Sequence, residues 1–216
     1  MSTRNKFENQ LKLVFDKLVV MCKEVELAIE KSMNALKMHD GELAKEVIRE
    51  DRIIDNAERE IEQDCLKILL MEHPVASDFR DVSAALKMIT DLERIADQAA
   101  DISEISLQLQ DKDGVEEPPH LASMAKIVIG MVKDGVVSYV NRDLDTARGL
   151  DKRDDRVDQL FLTVKKDLVD EIRKSPEQAE EALLYLMIAK YLERIGDHAV
   201  NIGEWAEYAS TGARFH

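Results

Sequence analysis

The sequence predicts an all-α protein made of two homologous three-helix bundles in tandem, with six long helices. Three observations support this fold class. Of the 216 residues, 5% are aromatic, eight are Gly and four are Pro, a composition that suits helices better than strands. Apolar residues recur at helical spacing through most of the chain. The second half of the chain then repeats the pattern of the first.

The first predicted helix carries an apolar stripe from Leu11 to Leu36, with apolar residues three or four positions apart. Asp40-Gly41 ends this helix. We expect the same dipeptide to cap a second helix, because aspartate accepts hydrogen bonds from first-turn amides. The helical pattern of this second segment continues to about Glu72.

His73-Pro74 interrupts the second helix, since proline cannot continue a helical hydrogen-bond pattern. Ser77 is the expected N-cap of a third helix that runs to about Gln110. Residues 111–120 read DKDGVEEPPH, and this charged stretch with Gly and Pro-Pro predicts a linker between the two halves.

The second half predicts the same plan. A fourth helix runs from about Pro119 to Asn141, and Asp143 can cap a fifth that ends near Lys174. The sixth begins at residues 175–178, which read SPEQ. Here serine is the expected N-cap, proline occupies the first helical position, and glutamine completes a capping box.

The two halves align as a duplication. A shift of 103 residues places Asp40 on Asp143 and Asp55 on Asp158, whereas the third and sixth helices align at a shift of 100. The three-residue difference is therefore expected in the turn between the second and third helices. We place the first bundle at residues 1–112, the linker at 113–119 and the second bundle at 120–216.

Composition limits the possible partners and locations. The net charge of −14 argues against a nucleic-acid backbone as the main partner. Cys22 and Cys65 lie inside helical patterns and read as buried reduced thiols. The N-terminal sequence MSTRNKFENQ has no signal-peptide pattern, and no apolar run approaches the length of a membrane span. We expect a cytoplasmic protein.

Acidic residues recur four apart on the predicted helices, where like charges repel by a few tenths of a kcal/mol. At 100° per residue they form strips about 60–80° wide, and apolar neighbours such as Leu92 and Ile95 place these strips at a boundary between helices. Carboxylates gathered there raise one another's pKa unless cations neutralise them, and oxygen-rich clusters accept magnesium, calcium, manganese and iron. The strips are Asp51, Asp55, Glu58 and Glu62; Glu93, Asp97, Asp101 and Glu104; Asp154 and Asp158; and Glu193, Asp197, Asn201 and Glu204.

Two other interpretations of the acidic strips stay open at this point. Salt bridges between helices could explain them, because five arginines lie nearby in sequence: Arg52, Arg59, Arg94, Arg156 and Arg194. A ferritin-like di-iron protein requires Glu-x-x-His on helices. The one such motif, Glu117-Pro-Pro-His120, falls in the linker, and His198 lies about 100° around the helix from Asp197.

No phosphate-binding loop, zinc-protease motif or framed serine nucleophile is found in the sequence. We therefore expect a protein that is not an enzyme.

Four segments together resemble the PhoU family, bacterial accessory proteins of phosphate uptake and phosphate-responsive signalling. They are EDRIIDNAE (50–58), LERIADQAADI (92–102), RDDRVDQ (153–159) and LERIGDHAVNI (192–202). The resemblance covers about residues 5–210. It implies two similar three-helix bundles, often dimeric, whose acidic motifs can hold multinuclear metal clusters on the bundle surface. It also implies a negative regulator of phosphate uptake and of the starvation response.

The resemblance further implies contact with the phosphate ABC transporter and a membrane sensor kinase, so that the protein meets the membrane through its partners. Iron, zinc, manganese and magnesium all stay open as the metal. Asn201, which replaces Asp101 in the second half, weakens the second site. Carried over residue by residue, the expected metal ligands are Asp51, Asp55, Glu93, Asp97 and Asp101 in the first half, and Asp154, Asp158, Glu193 and Asp197 in the second.

Overall fold

The computed structural model describes residues 3–71, 74–112 and 114–213, and within these ranges the chain contains helices and no strand. The predicted all-α class is thus confirmed. None of the described helices has a stretch apolar enough, over the length that a bilayer requires, to cross a membrane. The helices are α1 (Thr3–Met38), α2 (Gly41–Met71), α3 (Ala76–Leu109), α4 (His120–Asn141), α5 (Leu144–Arg148), α6 (Leu150–Lys174) and α7 (Ala179–Thr211).

The helices form two bundles that lie side by side. Helices α1, α2 and α3 pack on one another, and α4, α6 and α7 do the same, with the short α5 against α7. The bundles meet where α3 packs on α7 and where α1 packs on α4. Buried apolar side chains form one continuous core through both bundles. The two predicted three-helix bundles are therefore present, and they share a core.

The turns between the first two helices of each bundle show the duplication directly. His39 and Arg142, which are 103 residues apart, both have left-handed backbone conformations, with φ of 50° and 58°. The aspartate that follows each of them caps the next helix. Asp40 accepts hydrogen bonds from the backbone amides of Glu42 and Leu43, and Asp143 accepts one from Thr146 at 3.1 Å.

The length difference between the halves lies where the alignment placed it. Helices α2 and α6 end at Met71 and Lys174, which are 103 residues apart, and helical structure resumes at Ala76 and Pro176, which are 100 apart. The three extra residues of the first half therefore lie in the α2–α3 turn. The predicted end of the second helix at Glu72-His73 falls outside the described residues.

The prediction that Ser77 caps the third helix is wrong. Helix α3 begins at Ala76, and Val75 precedes it with an extended backbone and no side-chain cap. The carbonyl of Val75 accepts the first helical hydrogen bond from Phe79 at 2.9 Å. Ser77 thus lies inside the first turn, which carries the acidic residue Asp78 beside the positive end of the helix dipole.

The predicted fifth helix is divided at Gly149, which separates α5 from α6. Glycine is unfavourable in a helix interior. A β-carbon on Gly149 would lie 3.3 Å from the carbonyl oxygens of Asp145 and Thr146. The break positions Leu150, whose side chain packs against the surfaces left open by Gly135 and Gly203. Gly135 and Gly203 thus serve close packing, whereas Gly149 marks a junction.

The predicted capping box at the start of the sixth helix is not formed. Ser175 makes no side-chain cap, and Pro176–Gln178 is a 3-10 turn closed by a bond from the Gln178 amide to the Ser175 carbonyl. A 3-10 turn is tighter than an α-helical turn, so Gln178 does not reach the position that a capping box requires. Its buried Oε1 atom has no hydrogen-bond partner among the described residues.

Both cysteines are buried and free, as the sequence indicated. Burial raises the pKa of the Cys65 thiol to about 12 and that of the Cys22 thiol further still. The thiolate is the nucleophilic form of cysteine, so neither residue has the character of a reactive site.

The equivalent left-handed residues should respond oppositely to glycine. His39→Gly removes the left-handed strain of an exposed side chain and should stabilise the protein by about 0.5–1 kcal/mol. Arg142→Gly removes the same strain, but it also removes the 2.7 Å ion pair to Asp81, whose side chain is 7% exposed. That loss should outweigh the gain, with a net destabilisation of about 1–2 kcal/mol. Urea unfolding of both variants measures the two changes. A stabilised Arg142→Gly variant would contradict this account.

Candidate metal centres

The first acidic cluster lies in the groove between α2 and α3. We use this name for Asp51 and Asp55 of α2 together with Glu93, Asp97 and Asp101 of α3. Four of these side chains are half-buried and Asp97 is exposed. The two helices pack directly on each other, so the strips predicted on separate helices face one groove.

Electrostatic coupling shows that the carboxylates of the two helices act on one another. Burial raises the pKa of Asp51 to about 6, and the charges of Asp97, Asp55 and Asp101 add to that rise. The pKa of Glu93 is raised by burial and then by Asp97 and Glu58. The pKa values of Asp97 and Asp101 are also raised, in each case mainly by burial. The cluster is therefore short of positive charge.

The second acidic cluster is the equivalent group between α6 and α7: Asp154, Asp158, Glu193 and Asp197. Burial raises the pKa of Asp154 to about 7, helped by the charges of Asp197, Asp158 and Glu193. The pKa of Asp197 is raised by burial and by Glu193. In each half, the sequence-predicted carboxylates therefore lie close enough together to help raise the pKa of one of them, Asp51 in the first half and Asp154 in the second.

Gly196 gives Asp154 its place in the second acidic cluster. The Oδ1 atom of Asp154 occupies the space that a β-carbon on Gly196 would need, which explains the small residue at this position. This oxygen is buried and has no hydrogen-bond partner among the described residues. A buried carboxylate oxygen without a donor is costly, so a cation beside it would be stabilising.

The arginine interpretation accounts for part of the acidic strips. Arg59 lies 3.7 Å from Asp55, a distance at the limit of an ion pair. Arg94 lowers the pKa of Asp97 and Arg194 lowers that of Asp101, yet both pKa values stay above their ordinary range. The arginines therefore leave the first cluster incompletely neutralised.

Besides Asn201 in place of Asp101, the two halves differ beside their clusters at two equivalent positions. In the first half, Thr90 donates a hydrogen bond to Glu58 at 3.3 Å. The equivalents are Lys190 and Phe161, and the Lys190 ammonium lies 5.6 Å above the Phe161 ring. Lys190 also forms an ion pair with Glu193. The second half thus lacks the Glu58 carboxylate beside its cluster and gains a cation that engages Glu193, one of the expected ligands.

The sequence patterns did not single out Lys190. Two signals could have found it. Lys190 lies three residues before Glu193 on the same helix, which is ion-pair spacing, and it aligns with Thr90 at the shift of 100.

His198 and Asn201 face the seam between the bundles. The Nδ1 atom of His198 lies 2.9 Å from Asp91 Oδ1, and the Asn201 amide donates to the same oxygen at 3.3 Å. On the equivalent side, Tyr191 hydrogen-bonds Asp101. These contacts show that α3 and α7 run antiparallel. Asp91 and Tyr191 are the seam residues that the sequence did not reveal. His198 thus contacts Asp91, and Asp101 is shared between the first cluster and the seam.

The donor set of each cluster fits a hard cation, since carboxylate oxygens are the preferred ligands of magnesium, calcium and manganese. The candidate ligands are near one another but are not arranged as a formed metal site. Within residues 5–71, 74–112 and 114–213, no three His, Cys, Asp or Glu side chains are arranged so that they could hold a metal ion. Metal binding would therefore require these side chains to rotate toward one another.

Comparison with known proteins identifies the family. A family model described as the PhoU domain matches this chain twice, at residues 18–106 and 121–206. The chain belongs to the PhoU family. Each match spans one three-helix bundle, so the predicted duplication corresponds to two PhoU domains.

Curated relatives in this family match over nearly their whole length. A protein of Clostridium acetobutylicum is 34% identical over 97% of this chain and 96% of its own length. A protein of Borreliella burgdorferi is 35% identical over 98% of this chain and 97% of its own. Both are named phosphate-specific transport system accessory protein PhoU homolog.

Crystal structures of PhoU proteins have the same fold. The structure of PhoU from Pseudomonas aeruginosa superposes with a TM-score of 0.91 at 31% identity, covering 96% of this chain and 100% of that one. The phosphate transport system regulatory protein PhoU from Streptococcus pneumoniae gives a TM-score of 0.90 at 28% identity, covering 97% and 99%.

The raised carboxylate pKa values predict the pH dependence of stability of this PhoU family member without metal. Asp51 and Asp154 titrate at about 6 and about 7 in the folded chain, against 3.8 ordinarily. The folded chain then binds more protons than the unfolded one, so stability falls as pH rises through this range. The chelator-treated protein should melt a few degrees higher at roughly pH 5 than at pH 7.5. Calorimetry checks this, and Asp51→Asn plus Asp154→Asn should remove most of the difference. A higher melting temperature at the higher pH would contradict it.

The two clusters should also hold different amounts of metal. Hard cations bind more tightly as ligand charge rises, and the first half keeps Glu58, whereas the second has Phe161 and Lys190. Asp55→Ala plus Asp97→Ala should therefore remove most of the bound metal. Asp158→Ala plus Asp197→Ala should remove less. Elemental analysis of the two purified variants measures the difference, and equal losses would show that ligand counting misjudges these sites.

Proposed function

We propose that this chain is a non-enzymatic negative regulator of phosphate uptake and of the phosphate-starvation response. The observation that carries the proposal is the near full-length likeness to proteins named as accessory proteins of a phosphate-specific transport system. Both PhoU domains are matched, and the fold agrees with a protein described as a phosphate transport system regulatory protein.

The partners that follow from this proposal are the phosphate ABC transporter and a membrane sensor kinase. An accessory protein of a transport system acts by contact with that system, and the relatives' name supports the transporter as the first partner. A cytoplasmic location, with membrane contact made through these partners, belongs to the same proposal.

Binding of metal clusters by the carboxylates is the second element of the proposal. Its support is the uncompensated negative charge of both clusters, expressed in the raised pKa values of Asp51 and Asp154, and the unpartnered Oδ1 atom of Asp154. Iron, zinc, manganese and magnesium all suit carboxylate ligands.

A homodimer is the proposed assembly. Large apolar side chains around the α2–α3 turn are exposed, among them Leu70 at 76% and Val75 at 61%. Apolar patches of this kind commonly mark interfaces. Light scattering should therefore give about twice the chain mass of 24.6 kDa at micromolar concentration, and a monomer would count against the dimer.

Two alternative functions are tested by simple measurements. A structural helical scaffold with salt-bridged carboxylates would bind no metal, and the raised carboxylate pKa values argue against it. A ferritin-like di-iron protein would consume oxygen when loaded with iron. The Glu-x-x-His sequence that such a protein uses occurs here only at Glu117–His120, at the linker and the first residue of α4.

Deletion of the gene should leave phosphate-starvation genes active when phosphate is plentiful, because the negative regulator is lost. Expression of a starvation-induced reporter in phosphate-rich medium measures this. Restoring the wild-type gene should restore repression and serves as the control. Normal repression in the deletion strain would show that this family member serves another process.

A further inference from the structure

An apolar stripe is exposed along the outer edge of the first bundle. Leu13, Val20 and Leu27 lie seven residues apart on α1, so they share one helix face, and their exposures are 51%, 58% and 42%. Ile53 of α2 is 49% exposed and joins Val20 in lining a groove of about 310 Å³ between the two helices. We call this surface the α1–α2 groove.

The second bundle does not carry this stripe. At the shift of 103, the equivalents of Val20, Leu27 and Ile53 are Ser123, Gly130 and Arg156, and that of Leu13 is Glu116 in the linker. The two bundles have the same fold, so folding alone does not demand apolar residues at these exposed positions. The first half therefore exposes them for a reason that the second half does not share.

A reversed ion pair marks the same difference. Lys31 of α1 bonds Glu50 of α2 at 2.7 Å. The equivalents are Asp134 and Arg153, which pair with the charges exchanged. In the second bundle the Arg153 guanidinium fills the space where a side chain on Gly130 would lie, and it also donates to a carbonyl of α4. The second bundle thus covers this groove with its own arginine, and the first leaves it open.

Negative charge surrounds the open groove. Asp16 and Glu24 lie four residues on either side of Val20, and both are exposed. Lys17 also lines the groove, but its charge is already engaged by two acidic residues of α2: Asp64 at 2.8 Å and Glu60 at 3.5 Å. A second copy packed antiparallel about Val20 would place Asp16 against Glu24, which is repulsive. The same charge repels an anionic lipid surface.

We infer that the α1–α2 groove is a docking site for an amphipathic helix of a protein partner, with its apolar face flanked by lysine or arginine. The stripe spans about 21 Å from Leu13 to Leu27 at 1.5 Å per residue, which fits about four turns of a bound helix. Apolar residues at i, i+3 or i+4, and i+7 of that helix would meet Val20, Leu27 and Ile53. Its basic residues would meet Asp16 and Glu24. The inference rests on this groove and does not require the phosphate role.

The test uses two synthetic helical peptides of about 18 residues with the same leucine register, one flanked by lysines and the other by glutamates. Binding to the full chain is followed by fluorescence anisotropy. At low salt, the lysine peptide should bind at least about tenfold more tightly than the glutamate peptide. Val20→Ser plus Ile53→Arg introduces the residue types that the second bundle has at these positions. This double substitution should weaken binding of the lysine peptide at least about tenfold. Leu162→Ser, at a 60% exposed position on α6, is the matched control and should leave the affinity unchanged.

A charge variant keeps the test independent of the apolar substitutions. Asp16→Asn plus Glu24→Gln should weaken the lysine peptide and reduce the salt dependence of its binding, because fewer charges then face it. Failure of both peptides to bind, equal binding of the two, or unchanged affinity in the Val20/Ile53 variant would overturn the inference. A Val20/Ile53 variant that turns a dimer into a monomer in light scattering would assign the groove to a second copy and also overturn it.

Discussion

The antiparallel packing of α3 on α7 is the contact on which the rest of the structure depends. Leu92 and Ile95 of α3 and Leu192 and Ile195 of α7 are fully buried, and each contributes about 1.5–3 kcal/mol of burial free energy.

The seam between α3 and α7 has an internal pseudo-twofold axis: Asp91 contacts His198 and Asn201, and the equivalent Tyr191 contacts Asp101. This contact, together with that of α1 on α4, joins the two cores, and it fixes the rotation of α3 and α7. It thereby determines which of their faces is left for the outer helices α2 and α6.

The acidic clusters follow from that rotation. With their apolar faces committed to the core, α3 and α7 present Glu93/Asp97 and Glu193/Asp197 at the rim, where α2 and α6 bring further aspartates. Half-burial there makes the repulsion between like charges more costly than on an open helix face. The chain keeps this repulsion in both halves but relieves it differently. The second half has Lys190 on Glu193, whereas the first half retains Glu58 at the position of Phe161. Duplication gave two bundles with the same fold. Differences between the halves, such as Thr90/Lys190 and Val20/Ser123, gave these bundles different surfaces.

Much of the fold could be predicted because it follows from the helical spacing of apolar residues and from local capping residues. The apolar stripe from Leu11 to Leu36 and the caps at Asp40 and Asp143 depend on neighbours in sequence, and all appear as expected.

The wrong predictions occurred where tertiary packing determines the start or end of a helix. Ser77 and Ser175 are good capping residues that the helix starts do not use. Gly149 divides a helix just before Leu150, which packs at Gly135 and Gly203. At the clusters, the register of Asp51, Asp97, Asp154 and Asp197 was readable from spacing. The roles of Lys190 and Asp91 were not, since they depend on which helix lies opposite.

We propose that the acidic clusters, which the fold keeps short of positive charge, are cation sites. Calorimetric titration of the chelator-treated protein with Mn²⁺, repeated near pH 6.5 in buffers of different ionisation enthalpy, tests it most directly because it counts the protons exchanged on binding. Carboxylates with pKa values raised to about 6 and about 7 hold protons at that pH, and a bound metal must displace them. The account therefore predicts binding with net proton release that disappears in the Asp51→Asn plus Asp154→Asn variant. Absence of binding, or binding with no proton release, would contradict it.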